Sequence, residues 1–509
     1  MRHHCANESS VRVRTMEPGL ASSGMPAATS RWRRAAAALA GAPALLALLA
    51  LPAVVQAQAV SIPSSEQPQA GTGAWTSAPR DQYIAWSRPS GTLTVGGAGW
   101  RYIRLVDING DGLDDLCGLY GPLSSRRHVY GCVLNQGMNG QHRFGGNLIQ
   151  ASAFNGDPEP SVHSTIQAVD FNGDGKPDLC GRTSAGLVCQ PRATSGFGAP
   201  RLLSAAFSDQ HGWTQERYFS SIHFPAPTNQ FIVCARGSEG GFCLERLATL
   251  FGLPGSLGLV REASYGFADW WGWNRPEHYR SFRFVDVNAD GWMDMCGRGD
   301  AGIWCSTYLP QAGGGWRWEP PVLWTGQYAN GYGWADKRYF NSIIYGDLNG
   351  DGRTDVCGRG TAGLYCGISR MAPANNRAAQ RFDGAFTLAQ AQFSDATGWG
   401  VNWQYLSSMQ VVDFDDDGKG DVCGLLNNDF YCARSLSTST GAAFDALVLR
   451  VGSVAPFIGS NDATVPAFER DRIVAGRLYP AAVGGTAVRR TGFCWVDVSG
   501  AVSCGNPWR

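Results

Sequence analysis

The sequence predicts an all-β fold: a single seven-bladed β-propeller of four-stranded blades, closed by an N-terminal strand that completes the last blade. Three observations predict it. Fourteen cysteines fall into seven local pairs, an acidic nine-residue turn precedes five of those pairs, and an aromatic motif returns about every 60 residues. A period of that size with four short strand-like stretches per unit is a propeller signature. Composition agrees: 17% of residues are charged, 11% are aromatic and 66 are Gly, the profile of a turn-rich β protein. Helical periodicity is nearly absent after the first 60 residues.

The N-terminus is read as a leader. Arg31, Arg33 and Arg34 precede an apolar run over 35–55 that ends in Ala57-Gln58-Ala59. A basic patch, an apolar stretch and a small-x-small site describe a signal peptide, and Pro43 and Pro52 favour it over a spanning helix. The expected organisation is an extension over 1–24, with Met16 or Met25 as alternative starts, a signal peptide over 25–59 and the propeller over 60–509. Within the last, 60–99 is the lead-in and closing strand and 100–509 holds the seven repeats. Removing 1–59 takes away six Arg and two Glu and leaves 36 basic and 40 acidic residues, a net of −4. No basic tract remains to track phosphates, which argues against a nucleic-acid partner. The mature chain is expected to be secreted or periplasmic, without a membrane span.

Apart from Cys5 in the leader, the cysteines pair locally: Cys117 with Cys132, Cys180 with Cys189, Cys234 with Cys243, Cys296 with Cys305, Cys357 with Cys366, Cys423 with Cys432, and Cys494 with Cys504. An even set with regular local spacing in an exported chain reads as disulfides. Geometry supports this. A hairpin turning at Thr361-Ala362 pairs Gly360 with Gly363 and so sets Cys357 opposite Cys366. If the innermost pair is hydrogen-bonded, the cysteines form a non-hydrogen-bonded pair, where side chains approach most closely. Zinc or redox chemistry lacks its signature, since neither C-x-x-C nor a neighbouring His pair occurs. Six extra residues between Cys117 and Cys132 predict a longer hairpin there.

The acidic turns place oxygen donors at positions 1, 3, 5 and 9, with the position-7 backbone carbonyl as a fifth. They are Asp107, Asn109, Asp111, Leu113 and Asp115; Asp170, Asn172, Asp174, Lys176 and Asp178; Asp286, Asn288, Asp290, Trp292 and Asp294; Asp347, Asn349, Asp351, Arg353 and Asp355; Asp413, Asp415, Asp417, Lys419 and Asp421. Hard cations take six to eight oxygens, and Gly at position 6 allows the turn that converges them. An EF-hand needs a bidentate Glu at position 12; here that position is Gly118, Gly181, Gly297, Gly358 and Gly424. Five calcium ions are therefore expected, each in a loop joining the first strand of a blade to the second. The segments before Cys234 and Cys494 have lost the ligands.

The aromatic motif reads Phe207-Ser-Asp-Gln-His-Gly-Trp213, Phe267-Ala-Asp-Trp-Trp-Gly-Trp273, Tyr328-Ala-Asn-Gly-Tyr-Gly-Trp334 and Phe393-Ser-Asp-Ala-Thr-Gly-Trp399. At the ends, the last repeat stops soon after Cys504, and Gln82-Tyr-Ile-Ala-Trp-Ser87 resembles its missing outer strand. Pairing the two would remove the open sheet edges.

These residues resemble the calcium-binding FG-GAP or VCBS repeats of integrin α-chain propellers, and the longer unit is similar to that of the Psathyrella velutina lectin family. The second resemblance covers 100–509 and implies a seven-bladed propeller with calcium loops that binds N-acetylglucosamine between neighbouring blades. The cysteine pairs, and the two repeats without calcium ligands, depart from that pattern. The implied role is glycan or polysaccharide binding. Candidate contacts are Trp213, Trp273, Trp334 and Trp399, with Tyr339 among the tyrosines that follow them, and Arg298 and Arg359 as donors. Trp270, in the dense run Trp270-Trp271-Gly272-Trp273, is the favoured exposed position. Inter-blade packing is the competing reading of the repeated tryptophans.

An enzyme and a protein-binding adhesin remain as alternatives. Catalysis would need a paired acid and base, yet most Asp residues belong to the turns and no Gly-x-Ser-x-Gly, His-Glu-x-x-His or phosphate loop occurs. His163, His211, His223 and His278 are the residues that could converge for such chemistry.

Overall fold

The structure is a computed structural model. It describes residues 84–85, 98–122, 128–138, 142–156, 158–225, 231–245, 261–310, 316–371, 380–400, 408–426, 429–451, 473–483, 486–496 and 502–505. All belong to the unit Gln56–Arg509. The other unit, Met1–Val55, and with it the expected extension and signal peptide, lies outside the described residues.

The described chain is all-β and propeller-like, built from antiparallel sheets whose strands follow one another in sequence. One blade shows the plan. Arg283–Val285 leads through an acidic turn into Asp294–Gly299, which pairs with Gly302–Ser306, and Val322–Thr325 lies outermost. The turn between the second and third strands holds two residues, Asp300 and Ala301, with Gly299 paired to Gly302. Gly302 has a φ of +129°, and a Cβ there would collide with the Thr325 carbonyl oxygen of the outer strand. Gly363 repeats this constraint against Gln390. Only glycine lets the fourth strand approach so closely.

The expectation of seven blades is corrected by the strand order: five four-stranded blades form rather than seven. They begin at Ala98–Val106, Gln167–Val169, Arg283–Val285, Gln410–Val412 and Ile473–Val483. Besides two small two-stranded sheets, two sheets that carry a cysteine pair depart from the unit, each for a local reason. The sheet that carries Cys234 and Cys243 has three strands, because among the described residues the stretch before it forms only the single bridge of His223 to Cys234. That stretch carries Pro225 and Pro227 in place of an acidic turn, and proline cannot donate to a ladder. The sheet around Gly363–Arg370 has five strands, because this longer strand pairs Leu388–Gln390 along its first half and Arg381–Asp383 along its second.

All seven expected disulfides are formed. Cys117 is bonded to Cys132, Cys180 to Cys189, Cys234 to Cys243 and Cys296 to Cys305. Cys357 is bonded to Cys366, Cys423 to Cys432 and Cys494 to Cys504. Every bridge joins directly opposed residues of adjacent strands, with Cα atoms 4.0 to 4.2 Å apart. Cys189, Cys305 and Cys432 each lie on a third strand, facing a second-strand partner across a two-residue turn. Cys357 faces Cys366 in the register that the turn at Thr361-Ala362 imposes.

The hydrophobic core lies between sheets. Cys357, Leu364 and Ile368 share one core cluster with Trp399 and Met409 and with Val422 of the following sheet. The chain's two ends meet in the same way. Trp100, Ile103 and Leu116 of the first sheet pack against Cys494, Val502 and Cys504 of the last. Ile84–Ala85 pairs with that last sheet along Ser503 and Cys504.

Candidate functional site

Where a blade carries both an acidic turn and an aromatic motif, its second strand connects two chemically different ends. Asp355–Gly360 starts at an acidic turn and ends at the hairpin turn, a run of about 17 Å at about 3.3 Å per residue.

At the acidic end the five turns share one hydrogen-bond scheme. The position-1 carboxylate accepts from the backbone of positions 5 and 6: Asp111 and Gly112 for Asp107 (3.0 and 2.5 Å), Asp351 and Gly352 for Asp347 (3.2 and 2.7 Å). Position 5 accepts from the position-7 amide, as Asp290 does from Trp292 at 2.8 Å. Position 9 does something the spacing alone did not reveal. Asp115, Asp178, Asp294, Asp355 and Asp421 are fully buried. One oxygen of each accepts from the position-2 amide. The other accepts from a backbone amide on the third strand, at Asn135 and Ser369, or just past its end, at Arg192, Tyr308 and Ser435. This carboxylate therefore clamps the turn to the end of the third strand as well as facing the loop.

Burial raises these acids. Asp115 is pushed up to about 7, Asp178 to about 6 and Asp355 to about 8, against backbone hydrogen bonds that hold them down. Burial likewise raises Asp413 to about 6 and Asp415 to about 7, with neighbouring carboxylates adding to it. Such uncompensated negative charge is what a bound cation would neutralise. Asp413, Asp415 and Asp421 offer ligand atoms all within 4.8 Å of one another. Oδ1 of Asp415 is buried without a hydrogen-bond partner. The donor set is all oxygen and suits a hard divalent cation. The other four turns carry an amide at position 3, and Asn109, Asn172, Asn288 and Asn349 each donate to the position-5 carboxylate.

At the hairpin end sits the aromatic motif. Its first and last rings meet: Phe207 and Trp213 at 4.5 Å, Phe267 and Trp273 at 4.7 Å, Tyr328 and Trp334 at 4.6 Å, Phe393 and Trp399 at 4.8 Å. The glycine before each tryptophan takes a left-handed conformation that folds the segment back. Trp273, Trp334 and Trp399 then lie over Gly297, Gly358 and Gly424, where a Cβ would press on the ring. All four tryptophans are buried, so the packing reading describes them and an open sugar platform does not.

The arginines behave similarly. Arg182, Arg236, Arg298 and Arg359 are wholly buried. Each donates to the carbonyl of the motif's first aromatic, Phe207, Phe267, Tyr328 and Phe393. Each also reaches the motif's third residue, Asp209, Asp269, Asn330 and Asp395. The expected sugar donors Arg298 and Arg359 thus hold the hairpin to the aromatic turn. Tyr339 is buried too, with its hydroxyl donating to Asp395 at 2.9 Å.

What faces outward is different. Trp270 and Trp271 are 61% and 66% exposed. They follow Asp269, which accepts from Arg236 and from the Tyr218 hydroxyl and pairs with Arg217 at 3.6 Å. Tyr332 occupies the position in its motif that Trp271 holds. It is exposed and meets exposed Phe386 edge-on at 5.7 Å. Tyr332 was legible from the motif alignment; Phe386 lies outside any repeated pattern. The four histidines have separate partners. His163 binds Phe154 and Glu159, His211 binds Ser208, His223 bridges to Cys234 through its backbone, and His278 binds Gly272 and Asp300.

The fold and these two ends define an all-β, propeller-like protein. Among solved structures, it is similar to a lectin of Agrocybe aegerita described as recognising non-reducing terminal N-acetylglucosamine. The TM-score is 0.53 at 20% identity, over 70% of this chain and 81% of that one, a likeness of fold. Rhamnogalacturonan lyase YesW (TM-score 0.28, 12% identity, 83% and 75% covered) and a Bacillus licheniformis rhamnogalacturonan lyase (0.25, 10%, 83% and 75%) superpose too loosely to carry an argument. No family model and no curated protein matches this chain, so the FG-GAP or VCBS resemblance rests on the turn residues alone.

Proposed function

We propose that this protein is an exported, calcium-stabilised propeller that binds glycan at the aromatic end of its blades. The observation that carries this reading is the pair Trp270 and Trp271, exposed beside the charged group of Asp269, Arg217 and Tyr218. Flat apolar rings flanked by a few fixed donors and acceptors match the apolar faces and hydroxyls of a sugar. The lectin-like fold supports the same class of ligand. Export is supported by the disulfides, which persist in oxidising compartments. No helix among the described residues is long and apolar enough to cross a membrane.

A glycan array with the full chain tests the binding role. Replacing Trp270 and Trp271 by Ala should weaken the hits at least tenfold, about 1.4 kcal/mol, with the melting temperature unchanged. Silence across a broad array, or release of reducing ends or unsaturated products from a polysaccharide, would reject the lectin reading.

Calcium would be held by the turn carboxylates and amides, with a structural role. An ion that binds only the folded state stabilises it by about 2.7 kcal/mol at a hundredfold excess over its dissociation constant. Chelation is expected to lower the melting temperature by several degrees, and calcium to restore it. A melt indifferent to both would remove the metal from the account.

A further inference from the structure

We propose that loop 413–421 is a divalent-cation site of a higher affinity class than the other four loops. The inference rests on the calcium reading and adds a rank order that the shared motif does not contain.

Two features set this loop apart. First, position 3 is Asp415, where the other loops carry Asn109, Asn172, Asn288 and Asn349. In those loops the amide donates to the position-5 carboxylate and occupies one of its oxygens. In loop 413–421 that amide donor is replaced by another carboxylate. Its side chain is only 9% exposed, and Oδ1 has no hydrogen-bond partner. Together with Asp413 and Asp421 it brings three carboxylates within 4.8 Å.

Second, the loop holds five carboxylates, Asp413, Asp415, Asp416, Asp417 and Asp421, against three or four in the others. The nearby cations leave most of that charge standing. Arg434 approaches Asp415 only to 3.8 Å while its Nε is held by Asp445 at 2.9 Å. Lys419 directs its ammonium to the Ser437 carbonyl. In loop 347–355, by contrast, Arg353 pairs with Asp351 at 2.5 Å.

The loop is also braced, as loops 286–294 and 347–355 are by the Thr354 and Gly420 amides on the Asp286 and Asp347 carbonyls. Asp416 sits at φ +57°, where three other loops use glycine. Its Oδ1 and the Asp413 carbonyl both accept from the Thr491 hydroxyl of a neighbouring sheet, at 3.3 and 3.2 Å. Ligand charge is one of the quantities that set calcium affinity in oxygen loops, and it is greatest here.

The test is a calcium titration of the full, chelator-stripped chain, followed by calorimetry and by competition with a chromophoric chelator. One equivalent should bind at least tenfold more tightly than the remainder. Asp415→Asn, which installs the residue the other loops carry, should remove that equivalent and leave the weaker sites. Asn349→Asp should add a second tight equivalent, a gain that a folding defect cannot imitate. A single affinity class in the unmodified chain, or a tight equivalent that survives Asp415→Asn, overturns the rank order while the calcium reading stands. No calcium uptake at all overturns both.

Discussion

His163 shows how one side chain couples burial to pH. It is almost fully buried, and its ring stacks near Tyr102 and Tyr130 at 5.5 and 6.4 Å. Nε2 lies 3.0 Å from the Phe154 carbonyl, and Nδ1 lies 3.0 Å from the Glu159 carbonyl and amide. Burial holds the imidazole below its ordinary 6.5, against the pull of those carbonyls and of the Glu159 charge, while His128 pushes the same way as burial. A folded-state pKa below the unfolded one means the unfolded chain takes up the proton first. The His163 contribution is therefore complete above pH 6.5 and is lost as pH falls below it. In melts between pH 7.5 and 5 (a range bracketing the ordinary histidine value of about 6.5), His163→Phe should flatten part of the decline seen in the unmodified chain. Parallel curves would show that this histidine is not linked to folding.

At the scale of elements, each disulfide hairpin that meets an aromatic turn is tied to it by a buried arginine or by packing alone, and Arg359 shows the stronger case. It donates to the Phe393 carbonyl and to Asp395, and nothing of its side chain reaches solvent. Removing one partner of a buried pair leaves the other charge and a carbonyl uncompensated, at a cost of about 3 kcal/mol. Arg359→Ala should therefore lower the denaturant midpoint substantially. An unchanged midpoint would show that the turn holds without the arginine. Much of this level was legible in the sequence. Cysteine spacing and the two-residue turn dictated the register of the hairpins, so that Cys189, Cys305 and Cys432 find their partners by counting outward from the turn. The role of the arginines was not legible, because Arg182, Arg236, Arg298 and Arg359 recur at one place in the repeat whether they face a ligand or a neighbouring carbonyl.

At the scale of the whole molecule, closure depends on the first and last sheets. Trp100, Ile103 and Leu116 pack on Val502 and the bridge of Cys494 to Cys504, Asp114 exchanges hydrogen bonds with Arg477, and Ile84–Ala85 covers the last strand. An uncovered strand presents unpaired amides and carbonyls to other chains. Deleting residues 60–90 should lower the melting temperature and produce concentration-dependent self-association in sedimentation. A truncated chain that stays monomeric and equally stable would show the strand to be dispensable.

The sequence by itself determined the β class, the disulfide pairs, the position of the acidic turns and the existence of a repeated unit. Each follows from local spacing that a hairpin must obey. Only the tertiary structure decided how many blades carry four strands, because outer strands pair through contacts that local spacing does not record. It also decided which aromatics face outward. Trp270 and Trp273 stand three residues apart, yet a left-handed Gly272 turns one into the core and leaves the other in solvent.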